Sequence, residues 1–222
     1  MASEARAPRL KALFEQGKTL RYKRGETIGS TDEDSLILMV SEGYIKRYMI
    51  RNDGGLGLQI LYGPQDVFSL TRIFRLLCNQ SLYDGPETYY YAAQCDSIVF
   101  SVSGDDLLKA VRQDPFLYKE LFAEAGQHLK ACVHSIENIS LHNVTARVAH
   151  QLVYLLQEFG QREGAGSELH ITLTHQDIAD MLGVTRASVT LAIGQLRAKG
   201  LLLPKRSFVT PNLDALAQQA YS

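Results

Sequence analysis

The chain has only three cysteines among its 222 residues, Cys78, Cys95 and Cys132, and no C-x-x-C pair. So odd and scattered a set argues against a disulfide framework and against a ready-made zinc or iron–sulfur site. No metal ligands are therefore expected, and the thiols read as buried and reduced. Long apolar runs are also missing: the stretch Leu36-Ile-Leu-Met-Val40 falls far short of the roughly 18 residues that span a bilayer. Met1 to Leu10 carries Glu4, Arg6, Pro8 and Arg9 without an apolar segment of signal-peptide type. A soluble cytoplasmic protein with no membrane partner is the expectation. A surplus of one charge is absent too, since 23 Lys and Arg against 24 Asp and Glu leave a formal net charge of −1. No global field attracts nucleic acid, and any such binding must come from a local surface. No phosphate loop, nucleophile elbow or H-E-x-x-H is present either, so an enzyme is not expected.

What is present is 45% apolar content, enough core for one large or two ordinary domains. From about Leu20 to Val102 short strand-like runs (Leu36-Ile-Leu-Met-Val, Tyr44-Ile-Lys-Arg-Tyr-Met-Ile, Gly57-Leu-Gln-Ile-Leu-Tyr) alternate with Gly-containing turns, which reads as an antiparallel sandwich or barrel. At Ser103 and again at Asp114-Pro115 the text turns helical. Phe116 to His142 has no internal Pro and two apolar stripes, one through Leu121, Ala125, Cys132 and Ile139 and one through Phe122, Leu129, Val133 and Ile136. Two stripes exceed what one β domain buries, so a symmetric partner helix is expected, with Leu121, Leu129, Cys132, Ile136 and Ile139 in the seam of a homodimer. Gly160 to Ser167 reads as a polar loop. The resulting fold class is α+β, with a β domain over 1–113, a dimerisation helix over 114–142 and a second domain over 143–222, Asn143 being the hinge.

The most informative segment runs from Leu173 to Leu196. Thr174 and Asp177 make a capping-box-like start, and Ile178, Ala179 and Leu182 form an inner face. Gly183 allows a tight turn. Thr185 caps a second helix whose Val189, Ile193 and Leu196 point inward. Two short helices so joined are a helix-turn-helix, whose second helix enters the major groove of double-stranded DNA. Arg186, Ala187, Ser188, Thr190 and Leu191 are then the candidate base contacts. Leu201 to Val209 reads as a hairpin wing bearing Lys205 and Arg206, which join Thr174, His175, Gln176 and Thr185 as candidate phosphate contacts.

Taken together, Gly25-Glu26, Glu42-Gly43, the Gly63-Pro-Gln-Asp66 corner, Asn143-Val-Thr-Ala-Arg-Val-Ala149 and Leu173 to Leu203 resemble the CRP/FNR family of bacterial transcription regulators. The resemblance implies a β-roll sensor of cyclic-nucleotide-binding type, a long dimerisation helix, a winged helix-turn-helix on a palindromic operator, and RNA polymerase as a partner. It also implies an effector pocket at Leu70, Thr71, Glu87, Thr88, Tyr89, Tyr90, Tyr91, Cys132 and Val133. Cyclic-nucleotide members hold the phosphate with an Arg, through bidentate hydrogen bonds. Glu87 stands at that place here, opposing an anion, and Leu70 replaces a ribose-binding Glu. A regulator independent of cyclic AMP, with a small, partly aromatic or neutral effector or none, is expected. Haem-based gas or redox sensing is an alternative, though Val67 to Thr71, where the family's carbon-monoxide sensor carries its iron ligands, has neither His nor Cys. A signalling module whose helical end binds protein is the other. No cofactor follows from the sequence.

Overall fold

The computed structural model describes residues 7–28, 36–50, 56–69, 73–74, 76–77 and 89–221. The chain divides into two compact units, one formed by residues 1–50 and 59–129 and the other centred on residues 130–222.

The first unit is a pair of four-stranded antiparallel sheets. Strands β1 (Lys18–Tyr22), β3 (Leu36–Glu42), β6 (Val67–Phe68) and β8 (Ser97–Ser103) lie in the order β1-β8-β3-β6. The other sheet has the order β2-β7-β4-β5, from β2 (Thr27–Ile28), β4 (Ile45–Ile50), β5 (Leu56–Tyr62) and β7 (Tyr89–Ala93). The unbroken apolar run of β3 has a physical cause. Successive strand side chains point to opposite faces, and both faces of β3 are covered: Ile37 and Met39 pack with Leu10, Phe14 and Leu107, while Leu38 and Val40 pack with Ile45, Tyr62, Phe68 and Val99. At the Gly63-Pro-Gln-Asp66 corner Gly63 N–H donates to Asp66 Oδ2 (2.7 Å) and Gln65 N–H to Val40 O (2.8 Å), which ties the turn to β3.

Helix α1 (Pro8–Glu15) buries Leu10 and Phe14. Helix α2 (Gly104–Gln113) is capped by Ser103, whose hydroxyl accepts from Asp106 N–H, with Asp105 and Asp106 favourably placed in its first turn. The long helix α3 spans Phe116–Ser140. Its Leu121, expected in the seam, is corrected here: only 5% exposed, it packs into the chain's own core with Leu117 and Ile73. Its neighbour Phe122 takes the exposed place at 80%. Periodicity alone could not order the two, because Leu121 and Phe122 are adjacent and lie on the flank shared by both stripes.

In the second unit helix α4 (Val144–Phe159) buries Val148, Leu152, Leu155 and Leu156. Asn143 is its N-cap, accepting from Ala146 N–H (2.8 Å). The stretch expected as a loop over 160–167 is instead mostly strand: β9 (Gly160–Glu163) and β10 (Gly166–Leu169) form a hairpin turning at Gly164, φ +61°. Its glycines serve packing as well as turning, since a Cβ on Gly166 would meet Thr210 O at 2.6 Å. Helices α5 (His175–Leu182), α6 (Arg186–Ala198) and α7 (Leu213–Ala220) follow, with β11 (Val209–Thr210) between the last two. The wing expected over Leu201–Val209 is not a hairpin of its own. Leu203 N–H donates to Val209 O (2.9 Å), but only Val209–Thr210 is extended, and it pairs with β10 in a sheet of order β11-β10-β9. Pro204, without an N–H, cannot extend the Leu203 side of such a ladder. Among the described residues no helix is long and apolar enough to cross a membrane.

Candidate nucleic-acid interface

Helices α5 and α6 are set by reciprocal caps. Asp177 N–H donates to Thr174 Oγ1 (3.1 Å) and Thr174 N–H to Asp177 Oδ2 (2.8 Å), closing a capping box. Gly183 ends α5 in the left-handed region (φ +64°), which a residue with a Cβ adopts only at a cost. Thr185 then caps α6, accepting from Ser188 N–H (3.2 Å). Ile178, Ala179 and Leu182 of α5 and Val189, Ala192, Ile193 and Leu196 of α6 are buried.

That burial turns the other side of α6 outward. Arg186, Ala187 and Thr190 are exposed, Ser188 is half-buried, and Leu191 is 70% exposed. An apolar side chain held so open on a short polar helix has nothing to pack on within the chain. Among the described residues no hydrogen bond or ion pair engages the Arg186 side chain, so all its donors are available. Of the phosphate candidates, Thr174, Gln176 and Thr185 are exposed and His175 is half-buried. Arg206 is exposed and without a partner among the described residues, whereas Lys205 Nζ lies 3.8 Å from Glu168 and is partly neutralised.

Three connections escaped sequence reading. Thr190 Oγ1–H donates to Arg186 O (3.0 Å), leaving the hydroxyl to accept from His175 Nδ1–H (2.9 Å). The His175 ring also stacks on Phe208, centroids 6.4 Å apart, so one imidazole joins α5, α6 and the wing loop. Partial burial, reinforced by the Arg197 and Arg186 charges, lowers its pKa from the ordinary histidine value. Arg197 Nη2–H donates to Lys205 O (2.9 Å), tying the wing loop to α6. Arg147 Nη2–H donates to Leu182 O (2.5 Å) at the end of α5, while its Nε–H donates to Asn138 Oδ1 (3.1 Å) at the end of α3. Apart from Thr190 and Arg186, which are one helical turn apart, none of these pairs shares a sequence spacing that marks contact; only the fold brings them together.

The expected effector residues are scattered. Leu70, Thr71, Glu87 and Thr88 lie outside the described residues. Tyr89 and Tyr91 share one face of β7, while Tyr90 is on the other, stacked on Tyr48 (5.7 Å) and 41% exposed. Tyr90 is thereby separated from its two neighbours by strand alternation. Cys132 and Val133 are exposed on α3, so the Cys132 thiol is not buried as expected, and Cys95 is only half-buried. Among the described residues no group of three or more His, Cys, Asp or Glu side chains is placed to hold a metal ion.

A two-sheet β domain, a long helix and a capped helix-turn-helix with an open recognition helix define a DNA-binding transcription regulator. Residues 146–219 match the model of the Crp-like helix-turn-helix domain. The chain is 26% identical over 212 residues, 94% of its length and 91% of the relative's, to the CRP-like cAMP-activated global transcriptional regulator of Mycobacterium tuberculosis. It is 24% identical over 211 residues, 95% and 78% of the two lengths, to the fumarate and nitrate reduction regulatory protein of Escherichia coli. Among solved structures it resembles FixK2 from Bradyrhizobium japonicum, with a TM-score of 0.72 at 23% identity over 91% of this chain and 96% of that one. Residues 146–219 thus carry a Crp-like helix-turn-helix domain, and the chain is similar along most of its length to transcription regulators of the CRP/FNR type.

Proposed function

We propose that this regulator acts as a homodimer on a palindromic operator, without dependence on cyclic AMP and without catalytic activity. The observation that carries the reading is the outward face of α6, where Arg186, Ala187, Ser188, Thr190 and Leu191 stand on a helix fixed by caps at its start. Arg186 takes the main base contact through a bidentate pair with guanine, and Leu191 offers an apolar surface to thymine methyls. Thr174, His175, Gln176, Thr185, Lys205 and Arg206 set register on phosphates.

Dimerisation is supported by α3. Phe122, Leu129 and Ile136, seven residues apart, are 80%, 65% and 69% exposed, and Ile139 is 73% exposed. A heptad-spaced apolar ridge on one helix suits a two-stranded coiled coil with its own copy. Two recognition helices so paired require half-sites about one DNA turn apart. RNA polymerase is the expected protein partner and the cytoplasm the expected location.

The test is selection of preferred sequences from random duplex DNA, followed by titration with cyclic AMP. A palindromic preference and affinity unchanged by the nucleotide support the reading. Sequence-independent binding, or affinity that rises with micromolar cyclic AMP, overturns the corresponding part.

A further inference from the structure

Beyond Arg186 the outward face of α6 offers almost nothing that can hydrogen-bond to a base. Ala187, Thr190, Leu191 and Gly194 recur at i, i+3, i+4 and i+7, so they share one face, and all four are exposed. Ala187 and Leu191 have no polar side-chain atom. Gly194 has no side chain, and a Cβ built on it would meet nothing within 4 Å. The hydroxyls nearby are already engaged. Thr190 donates its hydroxyl proton to Arg186 O (3.0 Å) and accepts from His175 Nδ1–H (2.9 Å). Half-buried Ser188 has its hydroxyl 2.8 Å from that of Thr185, inside the cap. Gln195, one turn past Leu191, accepts from Thr145 Oγ1–H (2.5 Å) and lies away from the N-terminal residues that a recognition helix sets against base edges. No Asp or Glu occurs anywhere in α6, so none of its side chains accepts from cytosine N4 as a carboxylate would.

What this face holds open instead is Leu191, 70% exposed, beside the cation of Arg186 that suits a polyanionic duplex. In the major groove an apolar side chain meets one base feature of its own kind, the C5 methyl group that thymine carries and cytosine lacks. 5-Methylcytosine carries the same group at the same place. The two methylated bases differ at C4, a carbonyl in one and an amine in the other, and telling those apart takes a donor or acceptor that this face lacks. Resting on the reading of α6 as the recognition helix, we infer that Leu191, flanked by Ala187 and Thr190, is a methyl-reading site. It accepts thymine and 5-methylcytosine alike and loses its contact with unmethylated cytosine. Methylation of a cytosine at that position therefore strengthens operator binding, and a DNA cytosine methyltransferase is the class of enzyme that would control it.

Base analogues decide it. In the operator selected from random duplex DNA, each thymine of one half-site is replaced singly by uracil, which keeps the pairing and removes the methyl. At one position or more the affinity of the full chain is expected to fall about fourfold, the worth of one buried methyl group. With a C·G pair at that position, 5-methylcytosine should bind about fourfold more tightly than cytosine. In Leu191→Ala both ratios should fall to about one, whereas Leu191→Met, which keeps an apolar group of similar volume, should retain them. Leu191 is exposed, so neither change disturbs the core. No loss with uracil at any position, equal binding of cytosine and 5-methylcytosine, or ratios retained in Leu191→Ala overturns the inference and leaves operator recognition standing. Selection that yields no preferred sequence overturns both.

Discussion

On the proposed DNA-binding face, His175 is expected to confer a proton dependence. Because Thr190 spends its hydroxyl proton on Arg186 O, the His175 Nδ1 carries the hydrogen of their bond and the neutral ring presents a lone pair at Nε2. A phosphate contact through Nε2 then requires the imidazolium. Burial and the Arg197 and Arg186 charges hold the free protein's ring neutral at pH 7, whereas a bound phosphate raises its pKa. With that contact made, the complex should take up a proton, and affinity is expected to rise as pH falls from neutrality, by up to about tenfold per pH unit. His175→Gln should flatten this profile in fluorescence anisotropy titrations. Arg186→Ala should weaken binding to the preferred operator by about 1–3 kcal/mol and relax selection at one base pair. Binding to random duplex should change far less, and equal losses on both DNAs would remove Arg186 from the base-reading set.

At the scale of the element, α3 and the wing loop make separate claims. Ile136, 69% exposed on α3, is expected to be buried against a second copy. An Asp there faces an apolar seam unpaired, which is strongly unfavourable. Ile136→Asp should run as a monomer in light scattering at micromolar concentration and lose operator affinity, while circular dichroism stays that of the wild type. In the wing loop, Arg206→Ala should reduce the slope of log affinity against log salt by about one unit, and Lys205→Ala by less, because Glu168 already shares the Lys205 charge. The sequence made the helices and both caps of the helix-turn-helix readable because caps and inner-face spacing are local signals, as at Thr174, Asp177 and Gly183. It did not reveal the β9–β10 hairpin, where glycines required for close backbone approach imitate a loop. Nor did it rank Leu121 against Phe122, which depends on partners distant in the chain.

For the molecule as a whole, the second unit has a built-in sensitivity to acid. The His134 ring stacks on His150 and Tyr154, each at 4.2 Å between centroids, and its Nε2 lies 3.2 Å from Gln151 Oε1. Burial, aided by repulsion from His150, lowers its pKa to about 4. A depressed histidine pKa stabilises the fold fully above the unfolded value near 6.5 and loses that contribution as pH falls toward about 4. Allowing for solvent screening of a half-buried ring, the loss is no more than about 2 kcal/mol. Urea midpoints between pH 7 and pH 4.5 should fall less in His134→Phe, which keeps the stack without the charge.

Asn138 holds the end of α3 to the start of α4 through Arg147 and His150, and Arg147 continues to the last turn of α5. This linkage makes the helical phase of α3 a quantity the protein must conserve. One residue inserted between Leu129 and Lys130 advances everything beyond it by about 1.5 Å and turns it by about 100°. Ile136 and Ile139 would leave the ridge begun by Phe122, and the clamped helix-turn-helix would be carried round with them. Seven inserted residues return the phase to within about 20°. DNA binding by a series of insertions of increasing length should accordingly oscillate, nearly vanishing at one residue and recovering in part at seven, while a steady decline with length would show that α3 transmits no phase.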